Sequence, residues 1–99
     1  MSIVTITEGP GSAEDYETMS QALERQGAPR PLVHIASPIE GGFRVINVWA
    51  SQADVDAVVA AANRIMQSFG HAAPGSIGTT MKRTINPVHR LVINTTATV

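Results

Sequence analysis

The chain has 99 residues, 43% hydrophobic and 15% charged, with a formal net charge of -1 and no cysteine. That is the size and composition of one folded domain spanning residues 1–99, not of a disordered chain. The absence of cysteine excludes disulfides, thiolate nucleophiles, iron–sulfur clusters and cysteine-held zinc. The lack of a Lys/Arg cluster argues against nucleic acid as a partner. A mean hydropathy of +0.07 is more apolar than a small monomer needs, which predicts surface buried against a partner. No apolar run reaches the length of a membrane span, and Met1-Ser2-Ile3-Val4-Thr5 lacks the basic region and apolar core of a signal peptide, so a cytoplasmic location with no membrane partner is expected.

Ser2 to Thr7 alternates with β-branched residues and predicts a first strand, broken by Glu8-Gly9-Pro10-Gly11. Ser12 has the form of a helix N-cap, with Asp15 three positions on and Glu14 also in the first turn, where acids suit the positive end of the helix. Tyr16, Met19, Ala22 and Leu23 form its apolar stripe; Gly27 is placed to end it, and Pro29 and Pro31 forbid its continuation. Leu32 to Ser37 predicts a second strand. The Pro38-to-Gly42 segment predicts a hairpin turn into a third strand over Gly41 to Ala50. Side chains alternate there, so Arg44, Ile46, Val48 and Ala50 face one way and Phe43, Val45, Asn47 and Trp49 the other.

Ser51 with Asp54 repeats the helix-start pattern. Val55, Val58, Val59, Ala62, Ile65, Met66 and Phe69 then give a second amphipathic helix ending near Gly70. His71 to Gly78 reads as a loop and His71 as a cation at the negative helix end. Thr79 to Ile93 predicts a last extended stretch, where Pro87 implies an edge position, a bulge or an interruption, with 94–99 a short extra strand or a loose tail. The order β-α-β-β-α-β is the ferredoxin-like α+β pattern, an antiparallel sheet with both helices on one face. The other face is left bare, which predicts a homodimer with a cavity between sheet and helices or between sheets.

Four segments carry a resemblance: Pro10-Gly11-Ser12-Ala13-Glu14-Asp15-Tyr16, His34-Ile35-Ala36, Gly41-Gly42-Phe43-Arg44-Val45-Ile46-Asn47-Val48-Trp49-Ala50-Ser51 and Pro87-Val88-His89. In this order, from about Ile3 to about Leu91, they resemble motifs of small actinobacterial-type proteins of the dimeric α/β-barrel superfamily, relatives of the antibiotic biosynthesis monooxygenases. The resemblance implies that fold and a dimer. It implies less about activity, because the superfamily spans cofactor-free oxygenases, haem-degrading enzymes, isomerases, decarboxylases and binding proteins. The chain departs from the family pattern at Asn47, where an acid is usual, and at Ala50, where Glu is usual. An amide orients and hydrogen-bonds but does not take a proton at neutral pH.

His34 and Asn47 are the candidate catalytic residues. The predicted hairpin brings His34 towards Asn47 or Trp49, and an imidazole can move a proton to or from an enolisable molecule. The Asn47 amide suits a carbonyl or enolate oxygen. Trp49, Phe43, Val45, Tyr16 and His89 are candidate substrate-binding residues: Trp49 as a flat wall, Phe43 as core or rim, Tyr16 as core with a hydroxyl near the cavity, His89 at a cavity mouth or dimer interface. Arg44 and Arg83 are the carboxylate-binding candidates, against the plainer reading of solvated strand arginines. His34, His71 and His89 share no ligand spacing, so no metal site is expected. No Gly-x-Gly-x-x-Gly or phosphate loop occurs, so no cofactor is expected; superfamily analogy leaves haem open without placing a ligand. The expected function is a homodimer binding an aromatic or polyketide-like molecule, with cofactor-independent monooxygenation or proton transfer (isomerase or cyclase chemistry) if it is an enzyme. The alternative is a non-catalytic ligand-binding or structural dimer.

Overall fold

A computed structural model describes residues 1–68 and 82–93. The elements follow the order β1 (Ile3–Gly9), α1 (Ala13–Arg25), β2 (Val33–Ile39), β3 (Gly42–Trp49), α2 (Gln52–Ser68) and β4 (Lys82–Pro87). The strands form one antiparallel sheet in the order β2-β3-β1-β4. This is the ferredoxin-like α+β fold anticipated from the element order.

Both helices begin, and α1 ends, where the sequence dictates. Ser12 Oγ accepts from the Asp15 N–H at 3.1 Å, and Asp15 Oδ2 accepts from the Ser12 N–H at 3.0 Å, so two otherwise orphaned donors are satisfied reciprocally. At the other end Gly27 takes a φ of +69°. The Ala28 N–H then reaches the Leu23 carbonyl at 3.1 Å and the Gly27 N–H the Glu24 carbonyl at 3.0 Å, the Schellman arrangement. Ser51 Oγ accepts from the Asp54 N–H at 3.3 Å and opens α2.

The strands differ in extent from the sequence reading. β1 runs on through Glu8 and Gly9, because both pair with β3, opposite Arg44 and Phe43. β2 runs on through Pro38 and Ile39, so the hairpin turn shrinks to Glu40 and Gly41, with Gly41 supplying the φ of +77°. Pro38 is tolerated because β2 is an edge strand. A Cβ at Gly42 would run into the Gly9 carbonyl, so the second glycine permits a close approach of backbones. The last extended stretch is shorter than predicted: β4 ends at Pro87, and 88–93 carry no strand. The expectations for 69–81 and 94–99, including Phe69, Gly70 and His71, lie outside the described residues.

The register assigns the faces. Ile3, Thr5, Phe43, Val45, Asn47, Trp49, His34 and Ala36 share the side covered by the helices. There Trp49, Ile3 and Val55 form the core, with Val58 and Val59 packed against it. Ala61, absent from the predicted stripe, is also buried, as is Ala22 of α1; their small side chains suit the packing of the two helices on one another. Val4, Ile6, Val33, Ile35, Ile39, Ile46 and Val48 lie on the opposite side, with Ile35 52% exposed. Arg44 and Glu8, cross-strand partners at one end of this side, form an ion pair at 2.8 Å. Arg44 is therefore committed to a neighbour within the sheet.

Among the described residues Thr5 is the buried polar one, 3% exposed, and its Oγ1 accepts from Trp49 Nε1–H at 2.9 Å. Thr5→Val keeps the shape and leaves a buried indole N–H without its acceptor. The expected loss is about 1–3 kcal/mol of unfolding free energy in urea titrations, with Thr5→Ser recovering most of it.

Candidate functional site

Three elements converge on one imidazole. His34 stands on β2 directly opposite Asn47 of β3, on the helix-covered side. Tyr16 comes down from the first turns of α1, whose start is fixed by the Ser12–Asp15 capping box. Asn47 Oδ1 lies 2.5 Å from His34 Nδ1, and Tyr16 Oη lies 2.5 Å from His34 Nε2. An amide oxygen only accepts, so Nδ1 carries the ring proton. In the neutral ring Nε2 is then the bare nitrogen, and it accepts from the Tyr16 hydroxyl. The result is a directional chain, Tyr16 O–H to His34 Nε2 and His34 Nδ1–H to Asn47 Oδ1.

The aromatic rings stack in the same place. Tyr16 and Phe43 have ring centroids 5.1 Å apart and planes within 15°; Tyr16 and His34 have centroids 5.9 Å apart and planes within 21°. Phe43 thus supports the Tyr16 ring, and the near-parallel rings offer a flat wall beside the polar chain. Tyr16, Phe43 and Asn47 are half-buried and His34 is more exposed, so the cluster lies at the margin of the sheet–helix layer.

The sequence candidates separate into those brought together and those held apart. His34, Asn47, Tyr16 and Phe43 meet. Val45 is one row along β3, opposite Ala36, beside the cluster. Trp49 sits in the core at 3% exposure, with its N–H on Thr5 rather than directed at His34. His89 follows β4, at the opposite edge of the sheet from β2. Arg83 faces Thr7 on β4, also across the sheet from His34. Sequence reasoning treated Tyr16 mainly as core, although its place on the α1 stripe and its hydroxyl were the available signals. It did not single out Thr5, whose partnership with Trp49 needs the β1–β3 register to be seen. Among the described residues, no three His, Asp or Glu side chains cluster closely enough to hold a metal ion. No helix among them is long and apolar enough to cross a membrane.

The geometry fixes a measurable tautomer. In nitrogen-15 spectra of the neutral ring, His34 is expected to carry its proton on Nδ1, and Asn47→Ala is expected to give a mixture of both tautomers. An unchanged tautomer in that variant would show that Asn47 does not hold the ring.

No protein-family model matches the chain, and no curated protein matches it in sequence. Solved structures do resemble it. One is an MhuD point mutant with two manganese protoporphyrin IX molecules bound per active site: TM-score 0.55, 16% identity, 93% of this chain and 99% of that chain covered. Another is a candidate antibiotic biosynthesis monooxygenase from Deinococcus radiodurans: TM-score 0.57, 17% identity, with 95% and 98% covered. Likeness at this level of identity establishes a shared fold over nearly the full chain.

Proposed function

We propose that the protein is a homodimer that binds a planar aromatic molecule beside Tyr16 and Phe43 and moves a proton to or from it, with His34 as acid and base. The observation that carries this reading is the hydrogen-bonded chain through His34, which orients an imidazole against a flat aromatic wall. Asn47 Oδ1 is spent on His34, so Asn47 meets a ligand oxygen through its Nδ2–H donors. Val45 lines the neighbouring row. Trp49 supports the site from the core, where its bond to Thr5 keeps β3 in place.

Taking a proton from a phenol or an enolisable ketone leaves an oxyanion or enolate. That species can tautomerise, cyclise or react with molecular oxygen, so isomerase, cyclase and cofactor-independent monooxygenase chemistry share this first step. The monooxygenase-like neighbour supports that range. The porphyrin held by the other neighbour does not suit this site. Among the described residues both ring nitrogens of His34 are already bonded and His89 lies beyond the far edge strand, so no imidazole there is poised over the aromatic wall as an axial ligand. The amide at Asn47 favours a second reading, a ligand-binding dimer without turnover, because a neutral amide does not offset an imidazolium charge as a carboxylate would.

The dimer is proposed to form by packing two open sheet sides together. Val4, Ile6, Ile35 and Ile46 lie on that side and neither helix covers them. Burial of such a continuous apolar surface is the usual remedy for a one-sided sheet.

Two measurements test these readings. Near neutral pH, where free meta-nitrophenol keeps its proton, the parent protein is expected to bind this probe and produce nitrophenolate absorbance. His34→Ala is expected to reduce the ionised fraction about tenfold or more while remaining dimeric. Binding without ionisation in the parent, or full ionisation in the variant, overturns the acid/base assignment. Separately, Ile35→Glu is expected to sediment as a monomer where the parent sediments as a dimer; a monomeric parent, or a dimeric variant, overturns the proposed interface.

A further inference from the structure

We infer that Tyr16, rather than His34, is the residue that touches the reacting atom, and that its phenol relays the proton between ligand and imidazole. The inference rests on the proposed acid/base role of His34 and adds the order in which the groups act. Both nitrogens of His34 are occupied: Nδ1 by Asn47 and Nε2 by the Tyr16 hydroxyl. A ligand therefore cannot reach a bare imidazole nitrogen without first displacing Tyr16. Displacement is disfavoured because the Tyr16 ring is held by its stack on Phe43 and its backbone by the capped start of α1. The Tyr16 oxygen, in contrast, has given its one hydrogen to Nε2 and keeps a lone pair for a further donor. Among the three side chains it is the one that can accept a ligand proton and pass on its own in the same event.

The step balances without another reactant. The ligand O–H bond breaks, and its electron pair stays on the ligand oxygen. That proton bonds to the Tyr16 oxygen as the Tyr16 O–H bond breaks, and the former Tyr16 proton bonds to His34 Nε2. Tyr16 ends neutral, His34 ends as an imidazolium and the ligand ends as an oxyanion. Nδ1–H stays on Asn47 Oδ1 throughout, so in this step the Asn47 oxygen acts through His34 and keeps Nε2 free to accept, whatever its Nδ2–H donors hold. Because Asn47 is uncharged, the charge balancing the imidazolium is the ligand's own oxyanion, which ties protonation of His34 to ligand ionisation.

Tyr16→Phe removes only the hydroxyl and keeps the ring stacked on Phe43. With meta-nitrophenol as the probe, this variant is expected to bind with an affinity within a few fold of the parent and to show an ionised fraction reduced about tenfold. Stopped-flow ionisation by the parent in mixtures of light and heavy water is expected to give a bowed dependence on deuterium content, as two protons move together. If Tyr16→Phe ionises the probe as well as the parent or better, or if the deuterium dependence is linear, His34 meets the ligand directly and the relay is wrong. If His34→Ala still ionises the probe, the acid/base reading underneath fails instead, so the two failures are told apart. Chain collapse is excluded by requiring the variant to keep the parent's Nδ1–H tautomer at His34.

Discussion

The structure depends on the register of β3 between β1 and β2. Side chains on a strand alternate strictly, so one residue of slip would turn Asn47 and Trp49 out of the helix-covered side and bring Ile46 and Val48 in. Trp49 resists that slip. Its ring is buried with Ile3 and Val55, and its N–H is satisfied by Thr5 of the neighbouring strand. Any other register would bury the indole N–H without an acceptor or expose the ring to water. With Trp49 fixed, Asn47 is fixed two residues away, and the β2–β3 hairpin then sets His34 opposite it. The Gly41 turn and the close approach at Gly42 define where that hairpin closes.

Much of this was legible in the chain. The capping pairs Ser12–Asp15 and Ser51–Asp54, the terminating Gly27 and the alternation along β3 are local signals, and α1, α2 and β3 begin within a residue or two of where they point. The pairing of His34 with Asn47 was also accessible, because a hairpin with a short turn relates its two strands by counting. What counting did not reach was contact between elements distant in sequence. Whether Tyr16 buries its hydroxyl in a core or gives it to an imidazole depends on how α1 lies over β2. Whether Trp49 faces a ligand or a threonine depends on β1. The extents of β1 and β2 were underestimated for a related reason: Glu8, Gly9 and Pro38 have poor intrinsic strand preference, and pairing with β3 overrides it.

The proposed chemistry turns on an uncharged amide, Asn47, beside Nδ1 of His34. A carboxylate beside Nδ1 would favour the charged imidazolium before any ligand arrived and would occupy Nε2 with a proton. Asn47 fixes the same ring orientation without that charge. In the neutral ring Tyr16 is the donor to Nε2, and in the proposed step charge separation needs a ligand that becomes negative beside it. A site of this kind is suited to ligands already inclined to lose a proton, which agrees with the near-parallel aromatic rings and with the phenols and enols proposed as its ligands.

The most direct test of this account follows the proton in the complex. Nitrogen-15 spectra of His34, recorded at a pH where the free protein holds the ring neutral, are to be compared with nitrophenolate absorbance across one titration with meta-nitrophenol. His34 is expected to gain its second ring proton in step with ionisation of the bound probe. A bound probe that is ionised while His34 keeps a single ring proton, its proton having gone to solvent, would contradict it.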